Sequence, residues 1–238
     1  MSFTISLSDS TSSSHDFTTF FPAPISLQGP YEVALQSFNC FNTFFNISST
    51  FSNNTFQYKL SGGSYTTLTL PNGKYTLTDL NTYIKAQLGT DSATFTLRAN
   101  NMRNRCEIVL TTSTCIKFNS DLYIMLGFTE NQELATDGVH IATNHPNFSR
   151  GIDRLYLNID IIDSNYKDGT SSQAVFEFVM SVPPAYYQEI IPNERYYNHV
   201  RVQSINSIHF SITDSQNRPV DLNGESTNCT LYFRPISN

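Results

Sequence analysis

The chain has 238 residues and a formal net charge of −6, and charged residues make up only 14% of it. This balance disfavours a protein that coats nucleic acid, because phosphate binding needs clustered lysines and arginines. Ser, Thr and Asn supply the polar fraction instead, and their side chains compete with helices for backbone hydrogen bonds, so we expect an all-β protein.

The first 29 residues are rich in Ser, Thr and Pro, for example at Ser10–Ser14 and Phe21–Pro24. A segment of this composition buries too little apolar surface to become ordered alone. We therefore predict a flexible arm over residues 1–29, which would become ordered against a neighbouring subunit. The N-terminus has no basic stretch followed by an apolar one, so we expect no signal peptide, no membrane span and synthesis inside the cell.

Strand patterns begin after this segment. Large apolar residues alternate with polar or small ones over Tyr31–Gln36 and Phe56–Leu60, with a period of two that indicates half-buried strands. Leu68 and Leu70 then lead to an Asn-Gly dipeptide at residues 72–73, which is typical of a type I′ hairpin turn.

Two helices are predicted between the strands. The first has Thr78 as its N-cap and stops at Gly89. Its apolar face consists of Leu80, Tyr83, Ile84 and Leu88. A second, short helix is predicted over Asp121–Leu126, with Ser120 as its cap and Gly127 as its end.

The alternation is strongest after residue 151. It marks strands at Leu155–Ile161, Ser207–Thr213 and Asn228–Arg234, and the last two read as an antiparallel pair. Ala174–Val182 is apolar on both faces, which suggests a central strand covered on both sides. About eight strands at this spacing favour a two-sheet sandwich or barrel, which we place in one domain over residues 30–238.

The common catalytic and nucleotide-binding motifs are missing from the sequence. Two groups of residues carry side chains that can bind metals: Asp137, His140 and His145, and Asp160, Asp163 and Asp168. The first group falls in a loop and has no fourth zinc ligand, so a solvated loop is the better interpretation. The second lacks the spacing of a calcium-binding loop, and a polar turn explains it as well. We expect neither a metal nor a cofactor.

A tyrosine-rich loop follows the strand at residue 182. It contains Tyr186, Tyr187, Glu189, Glu194, Tyr196 and Tyr197. The two glutamates suggest a glycosidase, but catalytic carboxylates need a fixed separation on rigid strands. Tyrosine buries a large area at low entropic cost, so we predict that these six residues contact another subunit.

The four cysteines, Cys40, Cys106, Cys115 and Cys229, form no CxxC pair. We expect them to be buried as small apolar side chains rather than paired in disulfides.

Several stretches resemble capsid proteins of Polinton-type and adintovirus-like elements. Pro24–Leu35 is similar to the first β segment of these proteins, and Asn72–Asn81 to their hairpin-to-helix passage. Leu122–Phe128 ends in the Leu-Gly-Phe that they often carry. The C-terminal stretches that look like the closing hairpin of the penton, or minor capsid, protein are Ile208–Asp214, Val220–Glu225 and Leu231–Arg234.

The resemblance implies a non-enzymatic structural protein with a single jelly roll. It implies a homopentamer at the five-fold vertices of an icosahedral double-stranded DNA virus capsid, seated among double jelly-roll major capsid proteins, and hence a location in the virion. The length supports the penton over the major protein, which carries two jelly rolls. The main alternative is a carbohydrate- or receptor-binding β-sandwich, such as a lectin or a virion spike domain.

Overall fold

The computed structural model describes residues 1–9, 15–60, 62–89, 94–111, 113–148, 152, 154–163, 165–167 and 170–236. Its elements in chain order are β1 (Phe3–Ser8), β2 (Asp16–Ser26), β3 (Tyr31–Phe41), β4 (Thr55–Lys59), β5 (Thr66–Thr69), α1 (Leu77–Leu88), β6 (Phe95–Asn100), β7 (Arg105–Leu110), β8 (Cys115–Lys117), α2 (Leu122–Leu126), β9 (Glu133–Leu134), β10 (Gly138–Ile141), β11 (Leu155–Ile159), β12 (Asn165–Lys167), β13 (Thr170–Ser172), β14 (Ala174–Phe178), β15 (Tyr187–Ile190), β16 (Asn198–His199), β17 (Ser204–Thr213) and β18 (Asn228–Pro235).

The chain forms two compact units, where we predicted one domain over residues 30–238. Met1–Phe44 and Gly151–Asn238 form the discontinuous unit, and Phe45–Arg150 form the inserted unit, which lies between β3 and β11 in the chain.

The discontinuous unit contains two antiparallel sheets. One has the order β1-β18-β3-β15, with β16 also paired to β3, and the other has the order β14-β11-β17-β2. We count β15 and β16 as one interrupted strand and renumber the eight strands of this unit in chain order. The two sheets then have the orders 1-8-3-6 and 5-4-7-2. This is the strand order of an eight-stranded jelly roll, so the predicted fold class is confirmed.

The core of the discontinuous unit lies between its two sheets. Successive side chains of a strand point to opposite faces, so every second residue reaches this core. The Phe38 ring on β3 lies 6.1 Å from the Phe210 ring on β17 and 5.5 Å from the Phe178 ring on β14. Phe38, Phe210 and Phe233 are fully buried, and each contributes about 1.5–3 kcal/mol by leaving water.

The inserted unit combines a sheet of order β5-β4-β8-β9, a sheet of order β10-β7-β6 and both helices. Its own core includes Phe56, Phe95, Leu80 and Met125. Neither helix in the described part of the chain has the length and apolar character needed to span a bilayer.

Both predicted helices are present, with shifted starts. The N-cap of α1 is Thr76, not Thr78, because the Thr76 hydroxyl accepts a hydrogen bond from the Asp79 N–H (3.1 Å) while the Asp79 carboxylate accepts one from the Thr76 N–H (3.0 Å). The Thr76 hydroxyl also donates a hydrogen bond to the Asp79 carboxylate (2.6 Å), and this bond together with the one from the Thr76 N–H lowers the pKa of Asp79. Gly89 follows α1 and Gly127 follows α2, as predicted.

The structure differs from the predicted arm over residues 1–29. Residues 3–8 form β1, which pairs with β18, and residues 16–26 form β2, which pairs with β17. Ile5 and Leu7 are buried in the core of the discontinuous unit. Most of this segment therefore supplies two of the eight jelly-roll strands within its own chain.

Two predictions about the strands after residue 151 need correction: the pairing of the last two strands, and the position of Ala174–Val182 in its sheet. The strands at Ser207–Thr213 and Asn228–Arg234 exist as parts of β17 and β18, but they lie in different sheets and do not pair with each other. The predicted central strand at Ala174–Val182 is instead β14 at the edge of its sheet, followed by Val179, which is 58% exposed.

The predicted turn at Asn72-Gly73 is not a type I′ hairpin. Gly73 has no positive φ, which that turn requires, and it forms an antiparallel bridge with Ile47. The chain then continues directly into α1.

Candidate subunit-contact surface

The tyrosine-rich loop is an interrupted edge strand of the discontinuous unit. β15 pairs with the Phe38–Phe41 end of β3, and β16 pairs with Glu32 and Val33 at the other end. Between β15 and β16, residues 191–197 leave the sheet edge. The loop is therefore tied to the same strand at both of its ends.

Four large side chains of this region are exposed. Tyr186 is 64%, Tyr187 51%, Ile191 65% and Tyr196 66% exposed, and we call these four residues the tyrosine patch. Exposed aromatic groups of this size are typical of contact surfaces. Three of the predicted contact tyrosines thus face solvent.

The fourth tyrosine packs within the chain. The Arg234 guanidinium lies 3.4 Å from the centre of the Tyr197 ring and also pairs with the Glu32 carboxylate. Arg195 lies 4.5 Å from the centre of the Tyr232 ring. Cation–π contacts contribute about 0.5–1 kcal/mol at exposed sites, so these two contacts help to hold residues 191–197 against the sheet.

Glu189 and Glu194 are both exposed. Glu189 lies on β15 opposite Asn39, whereas Glu194 lies in the loop. Within the part of the chain that the structure describes, no side-chain hydrogen bond or ion pair holds either carboxylate. The two carboxylates thus lie on a strand and in a loop rather than on two rigid strands, and both remain predicted subunit-contact residues.

The candidate zinc ligands each have a local partner. Asp137 accepts a hydrogen bond from the Ser113 N–H (2.8 Å), and His140 Nε2 lies 2.7 Å from the Thr136 carbonyl oxygen. His145 Nδ1 lies 3.1 Å from another backbone carbonyl. Among the described residues, no three such side chains converge on one point.

The candidate calcium ligands are also engaged separately. Asp160 accepts a hydrogen bond from the His209 N–H (2.9 Å), and Asp163 pairs with His199 (2.8 Å). Asp168 lies outside the described residues.

All four cysteines are buried and free, as predicted. Burial raises the pKa of Cys40 to about 12 and that of Cys106 to about 11. Thiols in this state are poor nucleophiles at neutral pH because they hold almost no thiolate.

One exposed surface was missed by sequence reasoning. On β2, Phe20 is 77% exposed, and Pro22 and Pro24 are exposed beside it; we call these three residues the Phe20 strip. The aromatic and β-branched run Phe17–Phe21 is a strand signal, and the two prolines that follow it would have placed this strand at a sheet edge.

The strand order of the discontinuous unit defines a class, the proteins with a jelly-roll fold. Over 99% of its length the chain is similar to the crystal structure of the mavirus penton protein, of which it covers 100%, with a TM-score of 0.52 and 11% sequence identity. No family model matches the chain, and no curated protein matches it in sequence. The chain therefore has a penton-like fold.

Proposed function

We propose that this chain is the penton subunit of a Polinton- or adintovirus-like double-stranded DNA virus. It forms homopentamers at the five-fold vertices of an icosahedral capsid, seated among double jelly-roll major capsid proteins, and it resides in the virion. Its role is structural rather than enzymatic. The observation that carries the proposal is the likeness to the mavirus penton protein over the whole of both chains.

The exposed side chains support an assembly role. A closed ring of more than two copies needs two different complementary surfaces on each subunit. We assign one of them to the tyrosine patch together with Glu189 and Glu194, while Tyr197 acts by ordering the loop through its contact with Arg234.

Size-exclusion chromatography with light scattering tests the proposal. A particle of five times 26.9 kDa is expected, with five-membered rings in negative stain. A stable monomer at high micromolar concentration contradicts the pentamer. A monomer that also binds sugars on a glycan array would favour the carbohydrate-binding alternative.

A further inference from the structure

The Phe20 strip lies on a strand edge that is poorly suited to adding another strand. β2 is an outer strand of its sheet and pairs on one side with β17, where Phe20 lies opposite Ser207. Pro22 and Pro24 have no backbone N–H to offer to a further strand. At Pro22 and Pro24 the edge therefore offers apolar side chains and no backbone donor.

Tyr186 and Tyr187 of the tyrosine patch lie on the opposite side of the discontinuous unit from the Phe20 strip. The loop that carries Tyr196 instead lies against β18. β1 and β2 are the outer strands of the two sheets on one side, joined by residues 9–15. β14 and β15 are the outer strands on the other side, joined by residues 179–186. The Phe38–Phe178 ring contact between β3 and β14 agrees with this alignment of the two sheets.

We propose that the tyrosine patch of one copy packs against the Phe20 strip of the next copy. This contact rests on the proposed ring and identifies the two surfaces that close it. A heterologous contact joins two different patches of the same chain, and an apolar patch on each side of the subunit meets that requirement. Tyrosine rings packed on proline and phenylalanine also form the kind of aromatic centre that dominates interface energies.

Tyr186 and Tyr187 supply part of the area that such a contact needs. At roughly 200 Å² for a full tyrosine side chain, their exposed fractions amount to about 230 Å². A stable interface buries about 800 Å² on each partner. These two side chains thus supply more than a quarter of one face, and the exposed Ile191 follows them in the chain.

Carboxylates lie beside the tyrosine patch, together with Arg195, and another arginine lies beyond the end of β2. Glu189 and Glu194 are exposed beside the tyrosine patch and lack cationic partners among the described residues. Arg201 is exposed near the end of β2, where the Gln203 carbonyl accepts a hydrogen bond from the Leu27 N–H. It too has no carboxylate partner in the described part of the chain.

Photo-crosslinking of the assembled protein tests the contact. Tyr187 is replaced by benzoylphenylalanine, rings are assembled from isotope-labelled and unlabelled chains, and adducts between copies are mapped by mass spectrometry. We expect them to fall within residues 16–26 of the neighbouring copy. The same label at Ser6, which is exposed on β1 on the side of the Phe20 strip itself, serves as the control and should not reach this strand of a neighbouring copy.

A second measurement places a charge in the Phe20 strip and follows the dissociation constant of the ring. The Phe20→Asp variant should raise the dissociation constant of the ring at least about tenfold, as expected for an interface anchor, whereas the conservative Phe20→Tyr variant should change it little. Circular dichroism confirms that both variants fold.

The outcomes separate the two proposals. A monomeric wild-type protein overturns the penton proposal and this contact with it. Intact rings whose adducts fall outside residues 16–26, or whose stability is unaffected by Phe20→Asp, overturn the contact alone. Adducts between two tyrosine patches would indicate an isologous contact and would also contradict it.

Discussion

Replacement of Leu7 by Ala tests whether the N-terminal segment belongs to the jelly roll. Leu7 lies on β1 opposite Cys229 of β18, and its side chain is completely buried. The substitution removes three carbon atoms from the core, which costs about 2.4 kcal/mol in transfer free energy at about 0.8 kcal/mol per carbon. A cavity term adds to this, so we expect the free energy of unfolding of the discontinuous unit to fall by about 3 kcal/mol.

The assay must resolve the two units, because a chain with two cores need not unfold in one step. Hydrogen exchange followed by mass spectrometry over a urea series reports on peptides of each unit separately. We expect the peptides of β1, β3 and β18 to lose protection at lower urea, while those of the inserted unit keep theirs.

Ser6→Ala is the matched control. Ser6 points to the exposed face of the same strand, where its hydroxyl lies 3.3 Å from that of Thr230. We expect a change within about 0.5 kcal/mol, as for surface substitutions in general. If Leu7→Ala had an equally small effect, residues 3–8 would not be packed in the core, and the flexible-arm prediction would be correct.

Three further predictions concern the helix cap, pH and the thiols. Thr76→Ala should lower the stability of the inserted unit by about 1 kcal/mol in urea unfolding, because it removes the cap of α1, whereas Thr78→Ala should change it little. Hydrogen bonds from Arg98 and Asn100 lower the pKa of Glu107. The ionised Glu107 therefore stabilises the folded inserted unit above the unfolded-state pKa of about 4.3, and this stabilisation is lost as the pH falls through the lower folded-state pKa. The inserted unit should therefore lose more stability between pH 5 and pH 3 than its Glu107→Gln variant, and parallel pH curves for the two would contradict this. The four cysteines should react with a thiol reagent at pH 8 only after unfolding, and rapid reaction of the native protein would show that they are accessible.

The N-terminal strands show where composition misleads. Phe3, Ile5 and Leu7 alternate with polar residues, which is a strand signal, but the Ser and Thr content of residues 1–29 outweighed it in the prediction. An edge strand needs only about three inward apolar residues, so its overall composition can remain polar. In such a segment the period of the pattern is more informative than the composition.

The start of α1 was also readable from the sequence. Thr76 and Asp79 have the spacing of a capping box, and this pairing distinguishes Thr76 from Thr78, which has no acidic residue three positions later. Which of the tyrosines packs within the chain could not be predicted from the sequence. Tyr197 is packed because Arg234 reaches it from a distant strand, and no local pattern distinguishes it from Tyr196.

The connection between β17 and β18 explains why alternation did not identify their partners. Hairpin loops usually have two to five residues, and residues 214–227 exceed that length. Along this connection Val220 and Leu222 are buried in the core, and the buried Asp214 carboxylate binds Arg218 (2.6 Å). The chain therefore packs as it passes from one sheet to the other instead of turning back. Because the 1-8-3-6 and 5-4-7-2 orders require this crossing, the length and buried apolar residues of the connection distinguish a jelly roll from a meander better than the strands themselves.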